Sequence, residues 1–273
     1  MVARWLLAGL LACLALPVAA EAPRRVVSIN LCTDQLAMLL AAPGQLVSVS
    51  YLARDPLSSG MAEAAAALPA NNGLAEEIFL LKPDLVLAGT WTPPTTLSLL
   101  RRVGVPVEVF QPESDIAGIR GNIARMGQVL GREAEAEAAL ARFDADLARL
   151  PPAPEPRPRA AIYAVNGYTL GSDSLAGQIV ALAGYANIAD ELGLGPGGTL
   201  PLEALLLARP DLVILGRRYA GHARAQDMLD HPALRALLRD RPAAVMADPD
   251  WICGNPRILR AVANLPAAAG VRR

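Results

Sequence analysis

Two stretches of this chain are near copies of each other, and they limit what it can fold into. Residues 76–89 read EEIFLLKPDLVLAG and residues 203–216 read EALLLARPDLVILG. Aligned without gaps, seven of the fourteen positions are identical, and Lys82 against Arg209 keeps the charge. Each copy joins a short amphipathic helix to a proline that ends it, then to an apolar run suited to a buried parallel strand. Between the copies, residues 132–150 (REAEAEAALARFDADLARL) contain no Pro or Gly. Leu140, Phe143, Leu147 and Leu150 step by three and four there, which is the period of one helical face. At 1.5 Å rise per residue such a helix is about 28 Å long, enough to bridge two lobes.

The expected architecture is therefore α/β: two Rossmann-like lobes with mostly parallel sheets, joined by a single long helix, with a ligand cleft between the lobes. The divisions expected are 21–130 for the first lobe, 131–150 for the connecting helix, 151–158 (PPAPEPRP) for a Pro-rich linker and 159–273 for the second lobe. Strands are expected at 25–30, 45–50, 85–88 and 105–110, then at 159–165, 212–215 and 243–247. A helix over 115–130 closes the first lobe before Gly131, and Thr33 or Asp34 is expected to cap the helix that runs to Leu40. Strands that alternate with helices imply parallel sheets with right-handed crossovers.

The first twenty residues stand apart. They carry one charge (Arg4), an apolar run over 5–16, the breaker Pro17, and Val18-Ala19-Ala20. This is the pattern of a cleavable signal peptide, so export to a periplasm is expected. Cys13 leaves a lipid anchor as an alternative. With 25 basic and 26 acidic residues the net charge is −1, so no polybasic surface for nucleic acid is indicated.

In parallel sheets, ligands sit outside the carboxyl ends of the strands. The loops expected there are 30–33, 51–55, 89–92, 166–168, 217–222 and 250–253. They bring together Asn30, Cys32 and Thr33, then Tyr51, Arg54, Trp91 and Tyr168, and from the later loops Tyr219, His222, Asp250 and Trp251. Aromatics on polar, Gly-containing loops suit a cleft that stacks on a ring-shaped ligand. Arg54, Arg217 and Arg218 suit a cationic rim for carboxylates. Enzymatic chemistry is poorly served. The chain has two histidines, His222 and His231, and lacks GxSxG, while the Gly-rich 193–198 lacks the Lys-Ser/Thr of a phosphate loop. A secreted α/β hydrolase using His222 is the rival reading; no catalytic residue, cofactor or resident metal is expected.

These residues carry a family resemblance. RVVSINLCTDQLAMLL followed by VSVSYLARDP, the KPDLVLAG copy, the Asp250–Trp251 loop and NPRILRAVANL resemble the class III substrate-binding proteins of ABC importers. That family serves iron–siderophore, haem and cobalamin uptake, and its cobalamin-binding branch is the nearest pattern. The resemblance implies a monomer that delivers a small-molecule metal chelate to permease subunits at the inner membrane. An iron(III)–siderophore or related iron complex is the first expectation and a corrinoid the second. It also implies that Glu76 and Glu203, each seven residues before a proline, dock the permease; a carboxylate in the first helical turn also favours the helix dipole by about 0.3–1 kcal/mol. Three states remain open for Cys32 and Cys253: a disulfide tying the lobes, two free thiols, or soft ligands for a metal.

Overall fold

A computed structural model describes residues 21–218, 221 and 223–270. The expected signal peptide (1–20, with Cys13) lies outside the described residues, as do Tyr219 and His222. Among the described residues no helix is long and apolar enough to cross a membrane.

The first lobe opens with β1 (Val26–Ser28), α1 (Leu31–Leu40) and β2 (Leu46–Ser50). A short α2 (Ala62–Ala65) and two-residue β3 (Ala70–Asn71) follow. The first repeat copy supplies α3 (Ala75–Leu80) and β4 (Leu85–Gly89), and α4 (Pro94–Arg102), β5 (Val107–Phe110) and α5 (Ile116–Leu130) complete the lobe. Its five strands are all parallel in the order β3-β2-β1-β4-β5. β4 is buried along its whole length, as an apolar run without alternation requires.

The connecting helix α6 (Glu133–Ala148) is shorter at both ends than the expected 132–150. Gly131 adopts φ 65° at the end of α5, a left-handed cap that frees the chain to turn back, and α6 then packs along α5. Asp115 caps the start of α5 by accepting a hydrogen bond from the Gly118 amide.

The second lobe runs β6 (Arg159–Tyr163), β7 (Tyr168–Thr169), α7 (Leu175–Leu182), β8 (Ala186–Asn187) and α8 (Ile188–Glu191). Next come β9 (Gly198–Thr199) and the second repeat copy, α9 (Leu202–Ala208) with β10 (Leu212–Gly216). The chain ends through α10 (Pro232–Arg239), β11 (Ala243–Met246), α11 (Asp248–Trp251) and α12 (Ile258–Asn264). Four strands form a parallel sheet, β11-β10-β6-β8, while β7 and β9 pair antiparallel in a small ribbon. His231 caps α10 through Nδ1, which accepts from the Ala233 amide at 3.2 Å.

One hydrophobic cluster runs through both lobes. Val26, Leu87 and Phe110 of the first lobe share it with Ile162, Ile179 and Ile214 of the second, bridged by Ala136, Ala139 and Phe143 of α6 and by Ile258 of α12. Lobes that share a core have little freedom to hinge, because opening them exposes apolar surface at about 25 cal/mol per Å².

Candidate functional site

Strand order locates the site. In the first lobe the chain adds strands outward from β1 to β3 on one side and from β4 to β5 on the other. The order therefore reverses between β1 and β4, and a crevice opens beyond their carboxyl ends. Asn30 follows β1 there and Trp91 follows β4. The Asn30 side chain lies against the end of β4: a Cβ at Gly89 would stand 2.6 Å from Asn30 Nδ2, so a larger residue there would displace the amide that caps α1. Gly216, the matching end of β10, is held more rigidly, with Ala164 Cβ at 2.7 Å and its Cα at 2.8 Å, so only glycine fits there.

A cavity of about 350 Å³ occupies this crevice. Asn30, Cys32 and Thr33 enter from the start of α1, Thr90 and Trp91 from the end of β4, and Gln111 and Glu113 from the loop after β5. Ile252 is the second lobe's contribution among the described residues. Trp91 is 82% exposed, an aromatic face open for stacking. Asn30 and Thr33 spend polar atoms on structure: Asn30 Oδ1 accepts from the Cys32 and Thr33 amides at 3.0 and 3.4 Å, and Thr33 Oγ1 donates to Asn30 O at 3.0 Å. Asn30 is thus the cap of α1, and Thr33 and Asp34, expected in that role, are buried inside the helix. The cap moves back because Asn30 itself is extended, at φ −141°, and its short amide reaches two amides ahead.

Sequence reasoning missed Gln111 and Glu113, of which Glu113 makes a contact across the lobes. It accepts from Asn122 Nδ2 at 2.5 Å and, across the lobes, from the Gly254 amide at 3.3 Å. Burial pushes its carboxyl above the usual carboxylate range, against the opposing pull of these hydrogen bonds. Among the described residues that line the cavity, none is Lys, Arg or His.

The expected cationic rim is not built there. Arg217 Nη1 donates to Leu57 O at 2.6 Å, a second contact between lobes, and none of Arg54, Arg217 and Arg218 lines the cavity. Arg218 forks onto Asp230 at 2.8 and 2.9 Å. Arg218 and then Arg235, both hydrogen-bonded to Asp230, hold its carboxyl well below the usual range, so the charge of Arg218 is already matched. Tyr51 begins a 3₁₀ turn and Tyr168 begins β7; both are exposed, and neither lines this cavity.

Two residues expected on the cleft loops are buried and do not line the cavity. The 250–253 exit loop folds partly into α11, which turns Trp251 into the shared core at 6% exposure. Asp250 is buried beside it and faces Arg257 at 3.6 Å and Arg260 at 3.9 Å.

The segment just beyond α11 seams the lobes together. Cys253 is joined to Cys32 in a disulfide, with Cα atoms 5.1 Å apart. Gly254 bonds to Glu113, and Asn255 Nδ2 donates to Gln35 Oε1 at 3.0 Å in a buried contact. Two sulfurs bonded to each other are neither free thiols nor metal ligands, and among the described residues no group of three or more metal-ligating side chains converges. Glu76 and Glu203 are exposed in the first turns of α3 and α9.

Two parallel-sheet lobes, a shared core and a crevice at a strand switch point make a frame for binding. The chain matches the periplasmic binding protein family over residues 26–237 and belongs to that family. It is 29% identical over 200 residues to the cobalamin-binding protein of Halobacterium salinarum, covering 71% of this chain and 54% of that one. The chain thus spans about half the length of that relative. It is 26% identical over 275 residues to the vitamin B12-binding protein of Yersinia pestis, covering 94% of this chain and 89% of that one. Among solved structures, a periplasmic heme-binding protein from Pseudomonas aeruginosa superposes with a TM-score of 0.71 at 22% identity, covering 92% of this chain and 94% of that one. That likeness is one of fold. These relatives are binding proteins, and the hydrolase alternative finds no support among them.

Proposed function

We propose that this chain is the solute-binding component of an ABC importer and that its cargo is a corrinoid, carried without chemical change. The observation that supports this cargo is the character of the cavity. Its described lining offers amides, hydroxyls, one open tryptophan face and one carboxyl, and no basic side chain. A corrin ring brings a broad apolar face for Trp91 and peripheral amides that donate hydrogen bonds to acceptors such as Glu113 and Gln111. A haem brings propionates, which a carboxyl without a basic partner repels. At about 350 Å³ the cavity holds one edge of such a ligand, and the rest lies in the open cleft. The names of the two sequence relatives support the same cargo. The corrinoid therefore moves ahead of the iron complex that the sequence alone placed first.

An iron chelate is the second reading, supported by the exposed phenols of Tyr51 and Tyr168, one on each lobe, because phenol oxygen ligates ferric iron. The reading extends to a periplasmic location reached through a leader at 1–20, a monomeric state, and docking of permease subunits through Glu76 and Glu203. Titrating the protein with cyanocobalamin, haemin and a ferric trihydroxamate while following tryptophan fluorescence separates the cargoes. Saturable quenching by cyanocobalamin is expected. Saturation by an iron chelate with none by cyanocobalamin overturns the proposal.

A further inference from the structure

Among the described residues, the three most exposed large apolar side chains are Leu207, Trp91 and Leu80, at 84%, 82% and 77%. Trp91 belongs to the cavity. The two leucines lie elsewhere, and they occupy the same position in the two repeat copies, four residues after Glu76 and Glu203. A single exposed leucine is ordinary on a protein surface. The same leucine exposed twice, at matched places in two lobes, needs a reason.

The surroundings of the two leucines match as well. Ala75 and Leu202 are buried, as are Ile78 and Leu205. Leu80 and Leu207 follow the last pair by two positions, about 200° around the helix, which turns them outward. Residues four apart share a face, so each leucine sits one turn along from its glutamate. Lys82 and Arg209 then leave each helix through the left-handed region, at φ 49° and 45°. Each helix runs antiparallel to the strand it precedes, which puts its N-terminus and the glutamate at the carboxyl edge of the sheet, on the cleft side.

We infer that Leu80 and Leu207 are a matched pair of apolar anchors that seat, beside Glu76 and Glu203, on a twofold pair of identical permease subunits. The inference rests on the transport reading above. Its partner is defined by chemistry. Each lobe offers a carboxylate and an isobutyl group in the same arrangement, so the partner must offer a basic group beside an apolar hollow, twice. A pair of identical subunits meets this duplication directly. An anionic membrane surface fits less well, because its headgroups repel the glutamates. Few interface residues carry most of the binding energy, and apolar anchors next to charged partners are suited to that role.

The test uses the importer's permease–ATPase complex in nanodiscs of zwitterionic lipid. Docking is measured for wild type, Leu80→Ser, Leu207→Ser, Glu76→Gln and Glu203→Gln. Each leucine variant is expected to weaken docking at least fivefold, about 1 kcal/mol, while cargo binding by the isolated protein stays unchanged. A smaller loss in either leucine variant overturns the inference. If the leucine variants dock normally and the glutamate variants do not, the anchors are wrong and the docking faces stand. Normal docking by all four variants removes the docking faces as well. Binding of wild type to empty anionic nanodiscs, lost on either leucine substitution, assigns the surface to a membrane and also overturns it.

Discussion

The two lobes are built alike and used differently. α3–β4 and α9–β10 repeat in sequence, in burial and in the left-handed exits at Lys82 and Arg209, and a glycine, Gly89 or Gly216, ends each strand. The loops beyond those strands diverge. In the first lobe they open a cavity with Trp91 at its mouth; in the second, Arg217 and Arg218 are engaged with Leu57 and Asp230. In the proposed role, the duplicated scaffold keeps the helices that carry Glu76 and Glu203 matched, while the cavity is lined, among the described residues, almost wholly by the first lobe.

The difference between lobes depends on how they are held together. The Cys32–Cys253 bond closes a sequence separation of 221 residues. The chain-entropy model assigns such a closure up to about 5 kcal/mol. Cys32→Ser combined with Cys253→Ser should lower the urea midpoint by the largest amount of any change here. An unchanged midpoint would mean that the shared core alone holds the lobes.

Trp91, in the cavity, and Trp251, in the core, sharpen the comparison next. Trp251→Ala removes a buried aromatic from the shared core and should cost about 3–5 kcal/mol. Trp91→Ala should change stability by less than about 0.5 kcal/mol and should abolish most of the cargo-dependent quenching. If Trp91→Ala unfolds the protein, or Trp251→Ala leaves it as stable as before, the assignment of cleft and core is reversed.

A smaller effect sits in the first lobe. Asp34 is fully buried, and burial raises its carboxyl from 3.8 to about 6, although hydrogen bonds from Ser28 and Ser50 oppose the change. The folded state therefore holds the proton more tightly than the unfolded chain does. The resulting stability is present in full below pH 3.8 and is lost as pH rises through 6, a change on the order of 3 kcal/mol. Asp34→Asn should remove this component, so its unfolding free energy should gain on wild type between pH 4 and 7. Parallel pH profiles for the two proteins would contradict it.

Much of the fold is legible in the sequence because it is local. The repeat copies announce helix, proline and buried strand, and Asp115 and Gly131 mark the ends of α5. The two-residue strands β3, β7, β8 and β9 are not legible, since two residues carry no period. The site is legible only in part. Asn30, Cys32, Thr33 and Trp91 line the cavity because each lies just beyond a strand's carboxyl end. Asp250 and Trp251 share that sequence position, but α11 folds them inward, a tertiary outcome that no local pattern carries. Glu113 follows β5 at the same edge and satisfies the same rule; its place in the cavity depends on β5 pairing with β4 rather than lying elsewhere in the sheet.

Whether the cavity selects a corrinoid, as proposed, is open to direct measurement. The most direct test is to purify the protein from its native periplasm without added ligand, then record its visible spectrum and the mass of the extracted small molecule. A cobalt corrinoid at up to one per chain is expected. An iron chelate or haem in that extract, with no corrinoid, would contradict it.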